Sequence, residues 1–158
     1  MDGKIFFITK SKLQEFKKEY KELLNLERLK TAGQEAPKVF ESEDLNPEFL
    51  SFQEDIGFLR ARIDEVKNII ENHELIKNPP KEKAQFIDLG AKVKVDVGGQ
   101  KDEFVIVGTL EANPVLGKIS NESPVGKALL GHKVGDEITI DSPTKTVYKI
   151  KNIKYEVS

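Results

Sequence analysis

From Leu13 to Lys30 the chain runs without Gly or Pro, and Leu13, Phe16, Tyr20 and Leu23 recur at alternating spacings of three and four. That beat places them on one face of an α-helix. Thr9 and Ser11 both suit an N-cap, and Ser11 with Gln14 makes a capping box. After Leu23 the beat loosens: Glu27 and Lys30 fall where apolar residues should come, while Leu24, Leu26 and Leu29 shift the stripe. Pro37 predicts a kink or stop near Ala36. A second stretch is regular. Phe49, Phe52, Ile56, Leu59, Ile63, Val66 and Ile70 alternate spacings of three and four without a miss, the seam of a coiled coil, and His73 continues it. In "DLNPEF" Asn46 suits the N-cap, Pro47 the first helical position, and Glu48 the positive end of the helix. A helix from Pro47 to about Ile76 would be roughly 45 Å long. The economical arrangement is an antiparallel helical hairpin whose turn lies between Gln34 and Pro47.

Beyond "KNPPKEK" the period changes to two. "AKVKVDV" alternates cleanly, "GGQKD" supplies turn chemistry, and "EFVIVGT" follows as a partner strand. "EITID" and "TVYKIKNIKYEV" predict further strands. "SPVGKALLG" predicts one short helix, with Ser123 as N-cap, Pro124 first and Gly131 as stop. The expected class is therefore α+β. An N-terminal antiparallel coiled-coil hairpin (1–76) and a short stiff linker (77–83) precede a C-terminal, mainly antiparallel sheet domain (84–158). The strand-like "KIFFIT" is expected to help fasten the hairpin to the sheet domain.

Composition narrows the function classes. The chain has 158 residues, of which 38% are hydrophobic and 33% charged, with 25 basic against 27 acidic residues. A formal net charge of -2 gives no global attraction to nucleic acid, so such a partner would be met through a local patch. Cysteine is absent, which excludes a disulfide framework and thiolate metal sites. The apolar run Ile5–Ile8 is too short for a signal peptide or a membrane span, and a cytoplasmic location is the default.

Enzyme chemistry is sparse. The two histidines, His73 and His132, read as structural or surface residues, and "VGGQ" between two strands reads as a turn, not a phosphate cradle. Ser123 before Pro124 reads as a helix cap, not a nucleophile. One cluster has an unusual position: Glu41, Glu43, Asp44 and Glu48 lie at or beside the hairpin turn. It has two readings. Either it is a solvated acidic turn, or the hairpin carries hard oxygen donors some 40 Å from the sheet domain to a divalent cation bound elsewhere. Mg²⁺ suits the second, because it commonly takes one or two carboxylates and keeps its waters.

The run "FVIVGTLEANPVLGKISNESPVGKALLGHKVGDEITIDSP" closely resembles the C-terminal domain of the bacterial Gre transcript-cleavage factor family, its GreA-like members in particular. The matching order is Ile-Val-Gly, Glu-Ala, Ile-Ser, Ser-Pro-x-Gly-x-Ala-Leu-x-Gly and Val-Gly-Asp. "ITKSKLQEFKKEYKEL" and "NPEF…GFLRARI" resemble the starts of the family's two helices. The resemblance implies an FKBP-like C-terminal domain that binds the rim of the RNA polymerase secondary channel, and a coiled coil that enters the channel. Acidic tip residues would help hold a catalytic Mg²⁺ of the polymerase active site beside the nascent RNA 3′ end. The polymerase then hydrolyses backtracked RNA. The factor is no enzyme alone, needs no cofactor of its own, and is expected to be a monomer.

The tip departs from the family pattern Gly-Asp-Leu-x-Glu-Asn-Ala-Glu-Tyr. In "SEDLNPEF" Asp44 matches the Asp, and Asn46, Glu48 and Phe49 match the end, which leaves Leu45 where the second metal-supporting Glu is expected. Glu41 or Glu43 are the substitutes at hand. Val39 and Gln53 stand where the family tends to carry basic residues that grip RNA. Two alternatives follow: a Gre-fold regulator or inhibitor that cleaves weakly or not at all, and, more remotely, an FKBP-like isomerase or chaperone. An isomerase cleft needs aromatic walls, and the sheet domain offers only Phe86, Phe104, Tyr148 and Tyr155.

Overall fold

A computed structural model describes residues 3–32, 47–141 and 144–157. By its contacts the chain forms two compact units: Met1–Lys12 together with His73–Ser158, and Leu13–Asn72.

The helical unit contains the length of α1 (Lys10–Ala32) beyond its first turn, and α2 (Pro47–Glu71). Thr9, not Ser11, caps α1: its Oγ1 accepts the N–H of Lys12 at 3.2 Å, while Ser11 lies inside the helix. Leu13 and Phe16 are buried on α1, and Ile56, Leu59, Ile63, Val66 and Ile69 on α2. Glu19 pairs with Arg62, and the later Glu27 pairs with the earlier Arg60. That reversed order is the order of an antiparallel pair. Ile69, at 2% exposure, takes the place expected of Ile70, because a straight helix drifts off a strict heptad by about 20° per repeat. The expected kink or stop near Ala36 and the Asn46 cap lie outside the described residues.

Helix α2 stops at Glu71, short of Ile76. Asn72 closes it, its N–H and its side-chain Nδ2 both donating to the carbonyl of Asn68 at 3.0 and 2.9 Å. The chain then extends as β2 (His73–Leu75), which pairs in parallel with β1 (Phe6–Ile8). His73 is therefore a strand residue and not part of the seam. Polar His73 and Glu74 fall where a helix would need its next apolar residue, and pairing with β1 instead delivers Ile76 to the interior at 5% exposure.

Besides the β1–β2 pair, the sheet unit holds a five-stranded sheet in the order β5-β4-β3-β7-β6. Strand β3 (Ala91–Val97) turns through Gly98 and Gly99, both at positive φ, into β4 (Gln100–Val107). Asp96 Oδ1 accepts the Gly99 N–H at 2.9 Å and closes that turn. Strand β7 (Lys145–Tyr155) is antiparallel to both β3 and β6 (Glu137–Asp141). The sheet is mixed, not purely antiparallel, since β5 (Lys118–Ser120) runs parallel to β4. A parallel neighbour needs a long return path, and residues 108–117 supply it through two short 3-10 turns.

Helix α3 (Pro124–Leu129) covers the inner face. Ser123 Oγ caps it by accepting the Gly126 N–H at 3.1 Å, with Pro124 at the first position and Gly131 following at positive φ. The core comprises Ile87, Ala91, Val93, Val95, Ile106, Leu129, Ile138, Ile140 and Ile150. Stretch 77–83 is tied to the same unit: Val157 N–H donates to Asn78 Oδ1 at 2.9 Å, and Asn78 Nδ2 donates to the Val157 carbonyl at 3.3 Å.

Candidate functional site

Glu48 stands exposed in the first turn of α2, where a carboxylate meets the positive end of the helix. Asp44, Glu43 and Glu41 lie outside the described residues, as does Val39. Among the described residues no group of three or more His, Cys, Asp or Glu side chains is placed to hold a metal ion. Gln53 is exposed on α2.

Two ion pairs join the helices beside their apolar stripe. Arg62 donates from Nε to Glu19 at 2.6 Å and from a terminal nitrogen to the other carboxylate oxygen at 2.9 Å, a bidentate pair. Hydrogen bonding to Glu19 raises the Arg62 pKa above its ordinary value. Arg60 Nε meets Glu27 at 2.9 Å. Glu27 is thus a seam position occupied by an ion pair, which explains why the apolar beat lapses there.

On the sheet unit a polar network surrounds the start of α3. The Thr109 hydroxyl donates to Glu122 Oε2 at 2.8 Å, lies 2.9 Å from Ser120 Oγ, and Ser120 Oγ accepts the Glu122 N–H at 3.0 Å. Beside it, the turn from Asn113 to Lys118 displays Val115 at 93% exposure and Leu116 at 66%. Reciprocal hydrogen bonds between the backbones of Asn113 and Lys118, at 2.8 and 3.0 Å, fix this turn. Ser123, Pro124 and Gly126 are structural. A Cβ on Gly126 would lie 2.0 Å from the Ser120 carbonyl oxygen, so only glycine lets the helix approach β5.

His132 Nδ1 lies 3.1 Å from Asp136 Oδ2 in the loop after α3. Asp136 is held below its ordinary pKa by the Lys133 backbone N–H and then by His132. Phe104, Tyr148 and Tyr155 are committed to structure. Phe104 and Tyr148 pack tilted with ring centroids 6.4 Å apart. The Tyr155 hydroxyl donates to the Phe86 carbonyl at 2.5 Å and accepts the Asp88 N–H at 2.9 Å. Burial pushes the Tyr155 pKa up.

Residues 81–155 match the family described as "Transcription elongation factor, GreA/GreB, C-term". The transcription elongation factor GreA of Thermomicrobium roseum is 34% identical over 142 residues, covering 89% of this chain and 90% of that protein. The chain belongs to the GreA/GreB family. Within this family of transcription elongation factors, GreA of Clostridium acetobutylicum is 41% identical over 112 residues, 69% of this chain and 70% of that protein. Among solved structures, GreA factor homolog 1 of Thermus thermophilus is 24% identical with a TM-score of 0.42, covering 96% of this chain and 99% of the other. Among the described residues no helix is long and apolar enough to cross a membrane.

Sequence reasoning missed the pairings Glu19–Arg62 and Thr109–Ser120–Glu122, and a contact between Thr9 and Glu111. The last joins residues 102 apart in the chain. Thr9 was legible as a cap, but no local signal names its partner.

Proposed function

We propose that this GreA/GreB-family factor binds RNA polymerase and stimulates cleavage of backtracked RNA by the polymerase active site. The FKBP-like sheet unit docks at the rim of the secondary channel, and the helical pair enters it. The observation that carries this reading is the collinear likeness to a named GreA over 89% of the chain, which takes in both units. Helix α2 alone is about 37 Å long, and in sequence the acidic stretch falls between α1 and α2.

Asp44, with Glu43, Glu41 and Glu48 near it in sequence, supplies hard oxygen donors suited to Mg²⁺ of the polymerase active site. That ion, when shared in the complex, stabilises the attacking and leaving oxygens of phosphodiester hydrolysis at the nascent RNA 3′ end. The chain's own part is to place the carboxylates. It is not an enzyme by itself, and it acts as a monomer beside the polymerase in the cytoplasm.

Leu45, where the family carries its second metal-supporting Glu, favours a second reading: a regulator that occupies the same channel with weak or no cleavage. The isomerase reading has nothing in its favour, since Phe104, Tyr148 and Tyr155 are packed or pinned. A stalled, backtracked polymerase separates the two channel readings. Added factor should accelerate RNA cleavage in Mg²⁺, and Asp44→Ala should abolish the acceleration while binding to polymerase holds. Absence of stimulation at saturating factor removes the cleavage reading in favour of the regulator.

A further inference from the structure

The two units carry opposite charge. Residues 1–12 and 73–158 hold 16 basic and 13 acidic side chains, while residues 13–72 hold 9 basic and 14 acidic. The net charge of -2 therefore conceals a basic sheet unit. Much of that surplus lies on the sheet face turned away from the core. There β3 presents Lys92, Lys94 and Asp96, between the inward Val93 and Val95. Pairing sets Glu103 and Lys101 of β4 beside Lys94 and Asp96, and Lys154, Asn152 and Lys149 of β7 along the other side of β3.

A β-bulge adds one more cation. The β3–β7 register steps between Lys94 and Val95, which leaves Lys151 as an extra residue in β7. Such a bulge breaks the alternation of a strand and re-aims a side chain. Here Ile150 is buried at 1% exposure, while Lys151 and Asn152 are both exposed. The face thus gathers six lysines against Asp96, Glu103, Glu137 and Glu156, and Asp102 at its rim brings the carboxylates to five. Three of the lysines are already matched: Lys92 lies 3.3 Å from Glu103, Lys149 3.5 Å from Glu137 and Lys154 3.3 Å from Glu156. Lys94, Lys101 and Lys151 make no ion pair among the described residues, and they line one open hollow of about 780 Å³. The other acids beside them are engaged with backbone. Asp96 Oδ1 accepts the Gly99 N–H at 2.9 Å, and Asp102 Oδ1 accepts the Glu103 N–H at 2.8 Å.

We propose that this outer face binds the phosphate backbone of a nucleic-acid duplex through Lys94, Lys101 and Lys151. It is the local patch that such a partner needs on a chain of net negative charge, and it does not rest on the cleavage function proposed above. Charge complementarity names the occupant. Ammonium groups on long stems are point donors to phosphate oxygens, and a duplex carries one negative charge per about 1.7 Å of its axis. The face offers no means of reading bases. Phe104 and Tyr148 stand opposite Val93 and Val97 and pack against the core, so no aromatic platform is left for stacking. All three arginines, the side chains suited to bidentate base contacts, lie in residues 13–72. Binding is therefore indifferent to sequence, stronger for duplex than for single strand, and sensitive to salt.

Fluorescence anisotropy of a short labelled DNA duplex, titrated with the full-length chain at several salt concentrations, tests this. Three phosphate contacts predict that log affinity falls against log salt with a slope of about -3. The combined variant Lys94→Gln, Lys101→Gln, Lys151→Gln should bind about tenfold more weakly at low salt, with a slope near zero. Lys17→Gln, Lys18→Gln, Lys21→Gln removes the same charge from exposed positions of α1 and should stay within about twofold of wild type. Scrambling the duplex sequence should change nothing, and the single strand should bind less tightly. No binding of the duplex by about 1 mM protein at low salt overturns the proposal, as does an unchanged slope in the first variant. An equal loss in both variants overturns it too, because net charge and not this face would then be responsible. Binding to phosphatidylserine vesicles or to polyglutamate without binding to the duplex assigns the face to a membrane or an acidic protein instead.

Discussion

The helical pair and the sheet unit handle their apolar residues differently. In the sheet unit the core is closed: nine residues from four strands, one helix and a loop are buried to 7% exposure or less. In the helical pair burial follows one stripe of α2, from Ile56 to Ile69, while α1 buries Leu13 and Phe16; Leu24, Leu26, Leu29 and Phe58 remain exposed, Phe58 at 74%. Two helices bury only one stripe each, so stability must come from a long regular seam. Here α1 gives up that seam at Glu27 in favour of an ion pair. The sheet unit closes its core from several elements, and the helical pair relies on one stripe per helix.

Glycine substitutions test this contrast most sharply. Gly126→Ala should cost about 3 kcal/mol, because the new methyl would strike the Ser120 backbone and neither helix α3 nor β5 has room to yield. Gly57→Ala should have the opposite sign. It is exposed within α2 with nothing near its absent Cβ, and alanine should stabilise the helix by about 0.5–1 kcal/mol. Urea unfolding of the two variants measures both; a Gly126→Ala protein as stable as wild type would remove the close-approach argument.

The ion pairs of the helical unit predict a smaller effect. Arg62→Ala should cost about 0.5 kcal/mol, since the bidentate pair with Glu19 is 40% and 34% exposed and solvent screens it. The loss should shrink in high salt, which thermal melts at two ionic strengths would show. An undiminished loss in high salt would mean that Arg62 acts through its packed stem instead.

The smallest effect belongs to the sheet unit and depends on pH. Asp136 has its pKa lowered in the folded chain, so its contribution to stability is fully present above the ordinary carboxylate range. It is lost as pH falls through the lowered folded value. Asp136→Asn should therefore melt below wild type at neutral pH, and the gap should close in acid. A gap that persists at low pH would assign the effect to the loop geometry and not to charge.

Strong local signals were legible. Strand β3 begins and ends where its alternation does, and the Gly98–Gly99 turn follows from the ease with which glycine adopts positive φ. The cap Ser123, the start Pro124 and the stop Gly131 of α3 were each readable as one residue's conformational preference. The end of α2 was not, because His73–Leu75 become a strand only when β1 is present to pair with them. Strand β5 has three residues and no pattern of its own; its parallel partner makes it a strand. Of the candidate site, residue types and order were legible, and the carboxylates Asp44, Glu43, Glu41 and Glu48 were chosen on that basis alone.

The sequence by itself determined the α+β class, the periods of the helices and strands, the caps and turns, and the family likeness. These rest on interactions within a few residues, or on residue order. Tertiary structure alone decided the parallel pairings, the buried face at the end of α2, the Glu19–Arg62 bond, and the meeting of Thr9 with Glu111. Each of those joins residues far apart in the chain, and no local preference encodes a partner that only folding brings within reach.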